Sequence, residues 1–241
     1  MNSFLNFIKT VRKGLLKAFI LSILYIIIYK FFLIKIDEIF AGASIWGEIF
    51  YDISFAYVTG FMFHLMVVHY KEWYDQKCIN KYVLPKLDLI LGQYETVIKE
   101  MCSYAKIEYY KFLSDDDFKK ICEIISGNKA KADAPLILGL SHPPIFATWN
   151  QYCINFKNET TRTVEQILSK LSLLDSDLVL LLSEIEDSKF FNRLRLYENL
   201  MSMGLERTKI GFDHSDILID YTSLMRRLEI YSIKKKKIFN G

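Results

Sequence analysis

The chain has 241 residues, a formal net charge of +3 and 51% hydrophobic residues. That length holds one or two domains, and so small a net charge says nothing strong about nucleic acid. A mean hydropathy of +0.15 is high for a wholly water-soluble chain.

The first residues are short and basic. Phe4, Leu5, Ile8 and Val11 fall at helical spacing with Lys9, Arg12 and Lys13 between them, which fits an interfacial helical turn or a frayed end. The first apolar run, Ala18 to Ile34, carries one charge, Lys30. With Leu15 and Leu16 it approaches the roughly 20 apolar residues of a spanning helix, and Lys30 lies near enough to one end to snorkel. The second run, Ile53 to Tyr70, has no Asp, Glu, Lys or Arg, and Trp46, Phe50, Tyr51, Trp73 and Tyr74 flank it as an interfacial belt does.

These runs predict a two-helix transmembrane hairpin, with spans at about residues 15–35 and 50–70. Two other readings stay open: a signal peptide ending at Ala41-Gly42-Ala43, and a pair of buried helices in a soluble core. Lys9, Arg12, Lys13 and Lys17 precede the first run, and Lys71, Lys77, Lys81 and Lys86 follow the second. The connector sets Lys35 against Asp37, Glu38 and Glu48. By the positive-inside rule both termini are cytoplasmic and the chain sits in the inner, plasma, membrane. Residues 1–72 thus form the basic start and the hairpin, and 73–241 a cytoplasmic helical domain.

Beyond the hairpin, Pro85 should kink or break a helix. Leu87, Ile90, Leu91, Tyr94, Val97, Ile98, Met101, Tyr104 and Ala105 then form one apolar stripe on a helix reaching about Leu113. Ser114 followed by three aspartates reads as an N-cap rather than a metal site, because consecutive acids cannot converge on one helical face. Phe118, Ile121, Cys122 and Ile125 pack inward. Pro143-Pro144 bars a helix across Ser141-His142, while Leu136, Ile137, Leu138 and Leu140 are apolar enough to be buried. His142 could titrate near neutral pH or bind a ligand, or be an ordinary loop residue. Further helices start at Asn158 or Thr160, at Asp175 or Ser176, and at Asp213 or Ser215. No strand is expected, so the fold class is all-α: a membrane hairpin followed by a helical bundle of five or six helices.

The candidate chemistry is sparse. Cys78, Cys102, Cys122 and Cys153 form no CxxC pair and read as reduced thiols, so neither a metal nor a cofactor is expected. Phosphate-loop, dinucleotide and nucleophile-elbow motifs are all missing, and the protein is expected to be non-enzymatic. Lys234, Lys235, Lys236 and Lys237 suit anionic lipid better than nucleic acid. In the second span, at about residues 50–70, Asp52, Ala56, Gly60 and His64 recur every fourth residue on one slowly drifting face. Alanine and glycine four apart permit close helix approach. The stripe serves either packing against the first span or self-association into an oligomer or pore.

Arg207-Thr-Lys-Ile-Gly-Phe-Asp-His214 resembles the Arg-x(4–6)-His spacing of HEPN-type ribonucleases. The resemblance would make Arg207 a phosphate-side stabiliser and His214 an acid–base group. The overall plan of basic start, two spans and helical body resembles, in architecture, bacterial two-span phage-defence effectors of the retron and abortive-infection kind. That resemblance implies membrane perturbation on triggering. Function is therefore expected to be that of a membrane effector or sensor whose cytoplasmic domain binds a protein partner and controls membrane assembly or permeability. A membrane-tethered ribonuclease and a passive anchor subunit are the alternatives.

Overall fold

The computed structural model describes residues 11–36, 42–110, 113–127, 133–203 and 215–239. The chain is mostly helical and divides into two compact units, residues 1–78 with 238–241, and residues 79–237.

The first unit holds α1 (Lys13–Phe31), a short 3-10 turn (Leu33–Lys35), α2 (Ala43–Phe63) and a π-helix (His64–His69). Helices α1 and α2 pack side by side. Lys13–Lys35 and the continuous helical run from Ala43 are each long and apolar enough to cross a membrane, and 0% and 6% of their apolar windows is buried within the chain. Gly42 enters α2 with φ 89°, a left-handed conformation that glycine adopts without strain. Asp37 and Glu38, the acidic part of the connector, and Phe4–Ile8 lie outside the described residues.

Helix α3 (Tyr70–Ala105) follows without a break; its residues 70–78 count with the first unit. It continues through Pro85 instead of breaking there. Val83, Leu84 and Leu87 are all buried around that proline, and their packing outweighs the roughly 3 kcal/mol an interior proline costs. The helix also stops eight residues before Leu113. The Lys106 amide donates to the Ser103 carbonyl (3.1 Å) and the Ile107 amide to Cys102 (2.9 Å), with Lys106 at φ 57°. This is a Schellman ending, built on a lysine instead of glycine.

The rest of the second unit comprises α4 (Asp115–Gly127), β1 (Ala134–Gly139), β2 (Ile145–Ala147), α5 (Trp149–Leu168), a 3-10 turn (Leu171–Leu173), α6 (Ser176–Glu186), α7 (Lys189–Ser202) and α8 (Ser215–Phe239). Ser114 does cap α4. Its hydroxyl accepts from the Asp117 amide (3.2 Å) while its own amide donates to the Asp117 carboxylate (3.1 Å), and hydrogen bonds from the Ser114 hydroxyl and amide hold that carboxyl below its usual range. Thr148 and Gln151 form the same reciprocal box on α5, so α5 starts nine residues before Asn158. Asp175 caps α6 and Ser188 caps α7.

The core is a continuous cluster in which Leu87, Ile90, Met101, Ile167, Leu182, Tyr221 and Leu228 are fully covered. Tyr221 packs against Phe190 and Phe191 with ring centroids 5.0 and 5.2 Å away. Lys157 is buried and pairs with Glu198, tying α5 to α7. Cys102, Cys122 and Cys153 are buried, unbridged thiols. Burial pushes Cys102 up to about 11 and Cys122 up to about 12, which keeps both protonated and unreactive at neutral pH.

The antiparallel pair β1–β2 corrects the expectation of no strand. Ala134 and Ala147 pair at its base and are fully buried, but Ile137, Leu138 and Leu140 are exposed, and only Leu136 packs against the core. Hydrophobicity alone therefore misplaced three of the four leucine and isoleucine side chains.

Candidate functional site

The two apolar helices meet through aromatic side chains. Phe19 and Phe61 lie with centroids 4.5 Å apart. The Tyr57 hydroxyl donates to the Leu15 carbonyl at 3.1 Å, and Tyr25 donates to the Gly47 carbonyl at 3.2 Å. Tyr29 stands against Tyr51, with centroids 5.3 Å apart, and the Lys30 ammonium sits 4.8 Å over the Tyr51 ring. Lys30 thus spends its charge on a ring of the neighbouring helix.

Gly47 is the close-approach glycine within this pair, and sequence reasoning passed over it. A Cβ there would meet Tyr29 Cε2 at 2.7 Å. We expect Gly47→Leu to push the ring aside and loosen the connector end of the pair by roughly 1–3 kcal/mol. The unfolding free energy in micelles checks this, and an unchanged value would show that the contact is dispensable.

Gly60 is different. A Cβ built on it meets nothing within 4 Å. Asp52, Ala56 and Gly60 are all exposed, and His64 is half-buried. Within the chain α1 takes the face of Tyr57 and Phe61, and Asp52, Ala56 and Gly60 stand exposed beside it. The stripe ends where the α-helix gives way to the π-helix, whose first and last residues are His64 and His69, with rings 6.4 Å apart. π-Segments are rare and concentrate at functional sites.

The C-terminal lysines are not one loose basic patch. They lie on α8, where Lys235 pairs with Asp175 and Lys236 donates to Asp88 at 2.7 Å. Lys234 and Lys237 are exposed. A helix of this pitch turns adjacent residues about 100° apart, so four consecutive lysines cannot share one face. Arg207 and His214 lie outside the described residues, as do Gly204, Gly211 and Asp213. His142 is exposed in the β1–β2 turn.

In the second unit, Leu91, Tyr94, Phe118, Thr222 and Arg226 help to line a cleft of about 220 Å³, below the roughly 300–1,000 Å³ of small-molecule sites. Its Tyr94 hydroxyl donates to Thr222 at 2.7 Å, and burial pushes that phenol up to about 12. Among the described residues no three His, Cys, Asp or Glu side chains gather as a metal would need. No family model, curated protein or solved structure matches the chain.

Proposed function

We propose that the protein is an integral membrane effector or sensor that self-assembles through Asp52, Ala56, Gly60 and His64. In this reading Lys13–Lys35 and the helix from Ala43 cross the bilayer. Both termini and the helical unit 79–237 lie in the cytoplasm, where a protein partner of that unit biases assembly or permeability.

One observation carries the reading: the open Gly60, on a face that the partner helix of the same chain leaves bare. The 19 residues of α1 span about 28 Å at 1.5 Å per residue, close to the roughly 30 Å of a hydrocarbon core. An aspartate in a span costs roughly 2.5–3.5 kcal/mol at the centre of the bilayer when lipid surrounds it. Self-association gives Asp52 and His64 a polar or water-lined interior instead, and glycine lets the backbones approach. Arg207 and His214, which carry the ribonuclease alternative, lie outside the described residues.

The test is cross-linking of the full chain in membranes, with the exposed Cys78 replaced by serine. Gly60→Cys and Ala56→Cys are expected to form disulfide-linked dimers, and Tyr57→Cys, on the α1 side, is not. Alkaline carbonate should leave the chain in the membrane pellet. Extraction by carbonate would overturn the membrane reading; a Gly60→Cys chain that remains monomeric would overturn the assembly.

A further inference from the structure

We infer that the β1–β2 turn is a membrane-contacting finger: its apolar tip dips into the lipid interface of the bilayer that carries the chain. The inference rests on the membrane reading above and adds a second, reversible lipid contact to it.

The β-hairpin is rooted at one end and bare at the other. The Ala134–Ala147 pair at its base has no exposed surface, whereas Leu140 at the turn is 95% exposed. Ile137, Leu138, Ile145 and Phe146 are exposed as well. Successive strand residues point to opposite sides, so the neighbours Ile145 and Phe146 on the unbulged strand, with Ile137 and Leu138 exposed across from them, leave both faces of the ribbon apolar and uncovered. From Ala134 to Phe156 the chain carries no Asp, Glu, Lys or Arg. Entry into an apolar phase therefore strips water from no carboxylate, ammonium or guanidinium group.

Three occupants can be compared. A flat protein surface covers one face and leaves the other wet. Five side chains split over two faces offer such a partner on the order of 300 Å², against roughly 800 Å² that a stable interface takes from each side. A second copy could add strands edge to edge, but the register of β1 is broken between Ala134 and Ile137 and again between Ile137 and Gly139. Bulged edges of this kind resist further pairing, and Pro135 removes one amide donor. Lipid surrounds a protruding tip on all sides at once. A tether to the same bilayer also raises the effective concentration of that surface, so weak partitioning suffices.

The depth is limited. A two-stranded ribbon has open edges, and unpaired backbone groups cannot enter hydrocarbon. Only the tip, the turn from Leu140 to Ile145, enters the headgroup layer, and the strands stay in the hydrated interface.

The experiment uses the full chain with Cys78→Ser, reconstituted in vesicles of phosphatidylethanolamine and phosphatidylglycerol. An environment-sensitive dye is placed at Leu140→Cys, or at Leu171→Cys, another exposed leucine of the same unit. The Leu140 dye is expected to be quenched several-fold more by a quencher carried on lipid, and several-fold less by aqueous iodide, than the Leu171 dye. Leu138→Asp, exposed and hence neutral to folding, is expected to return the Leu140 dye to water with the circular dichroism spectrum unchanged. Equal iodide access at both positions overturns the inference. So does a Leu140 dye shielded from both quenchers in proportion to protein density, which would mark contact with a second copy. Failure to float with the vesicles defeats the membrane reading itself, a result separate from either.

Discussion

Gly60→Leu is expected to lower the oligomeric order seen by cross-linking in detergent and to remove any membrane-depolarising activity, with thermal unfolding of the helical unit unchanged. The reason is local. Within one chain the position faces open space, so an added side chain strains nothing in the monomer. Between copies it would hold two backbones apart and forfeit the dispersion contacts that drive association in lipid, where no hydrophobic exclusion is available. Ala56→Leu should act in the same way. Val67→Leu, a small change at an exposed residue of already large bulk, should be silent. The paired outcome matters: Gly47→Leu alters the monomer, whereas Gly60→Leu alters only the assembly. Unchanged oligomers and unchanged depolarisation in Gly60→Leu would refute the pore.

Asp175→Ala is expected to cost the helical unit about 3 kcal/mol at neutral pH, from a helix cap worth about 1 and charge-assisted hydrogen bonds worth about 2. Asp175 accepts from the Leu178 amide at 3.0 Å and from the Tyr231 hydroxyl at 2.8 Å, and it pairs with Lys235. Its side chain is 28% exposed and that of Lys235 is 18% exposed, so the pair escapes most of the screening that weakens surface bridges. Burial pushes the carboxyl up, but the hydrogen bonds from Lys235, Tyr231 and the Leu178 amide prevail and hold it below the usual carboxylate range. A folded-state value below the unfolded one gives stability that is present above the unfolded pKa and lost as pH falls through the folded one. The gap between wild type and variant should therefore be full at pH 7 and narrow below about pH 4. Asp175→Asn keeps the cap and should lose about 2 kcal/mol. Denaturant titrations of the full chain in detergent at both pH values check this, and a gap that fails to narrow would assign the loss to packing.

Much of the helical layout was legible because it obeys local rules. The Leu87–Ala105 stripe, the Ser114 cap and the Asp175 cap follow from spacing and side-chain chemistry. The errors have equally local causes. Thr148 and Gln151 spell a capping box, but Asn158 and Thr160 are equally good capping residues by type, so residue type alone puts the start of α5 nine residues late. Lys106 takes a conformation that glycine usually signals, so nothing in the sequence marked the end of α3. A three-residue strand, Ile145–Ala147, is too short for alternation to register. The leucines of the β-hairpin show a deeper limit: composition reports that a side chain avoids water, not whether its own chain or something else covers it. Gly47 and Gly60 share one helix, and only the placement of α1 decides which of them meets a neighbour.

The π-helix has one more consequence. Its i to i+5 bonding lodges an extra residue in what is otherwise an α-helix, and each residue in it advances the angle by less than the ~100° of an α-helix. Tyr70, Trp73 and Tyr74 therefore occupy sectors that a helical wheel drawn from Asp52 would assign to their neighbours. His64–His69 acts as a vernier between two ladders of slightly different pitch. A related chain one residue shorter at this point would close the helix and keep every downstream side chain on its present bearing, so a gap in an alignment here would mark conserved geometry rather than divergence.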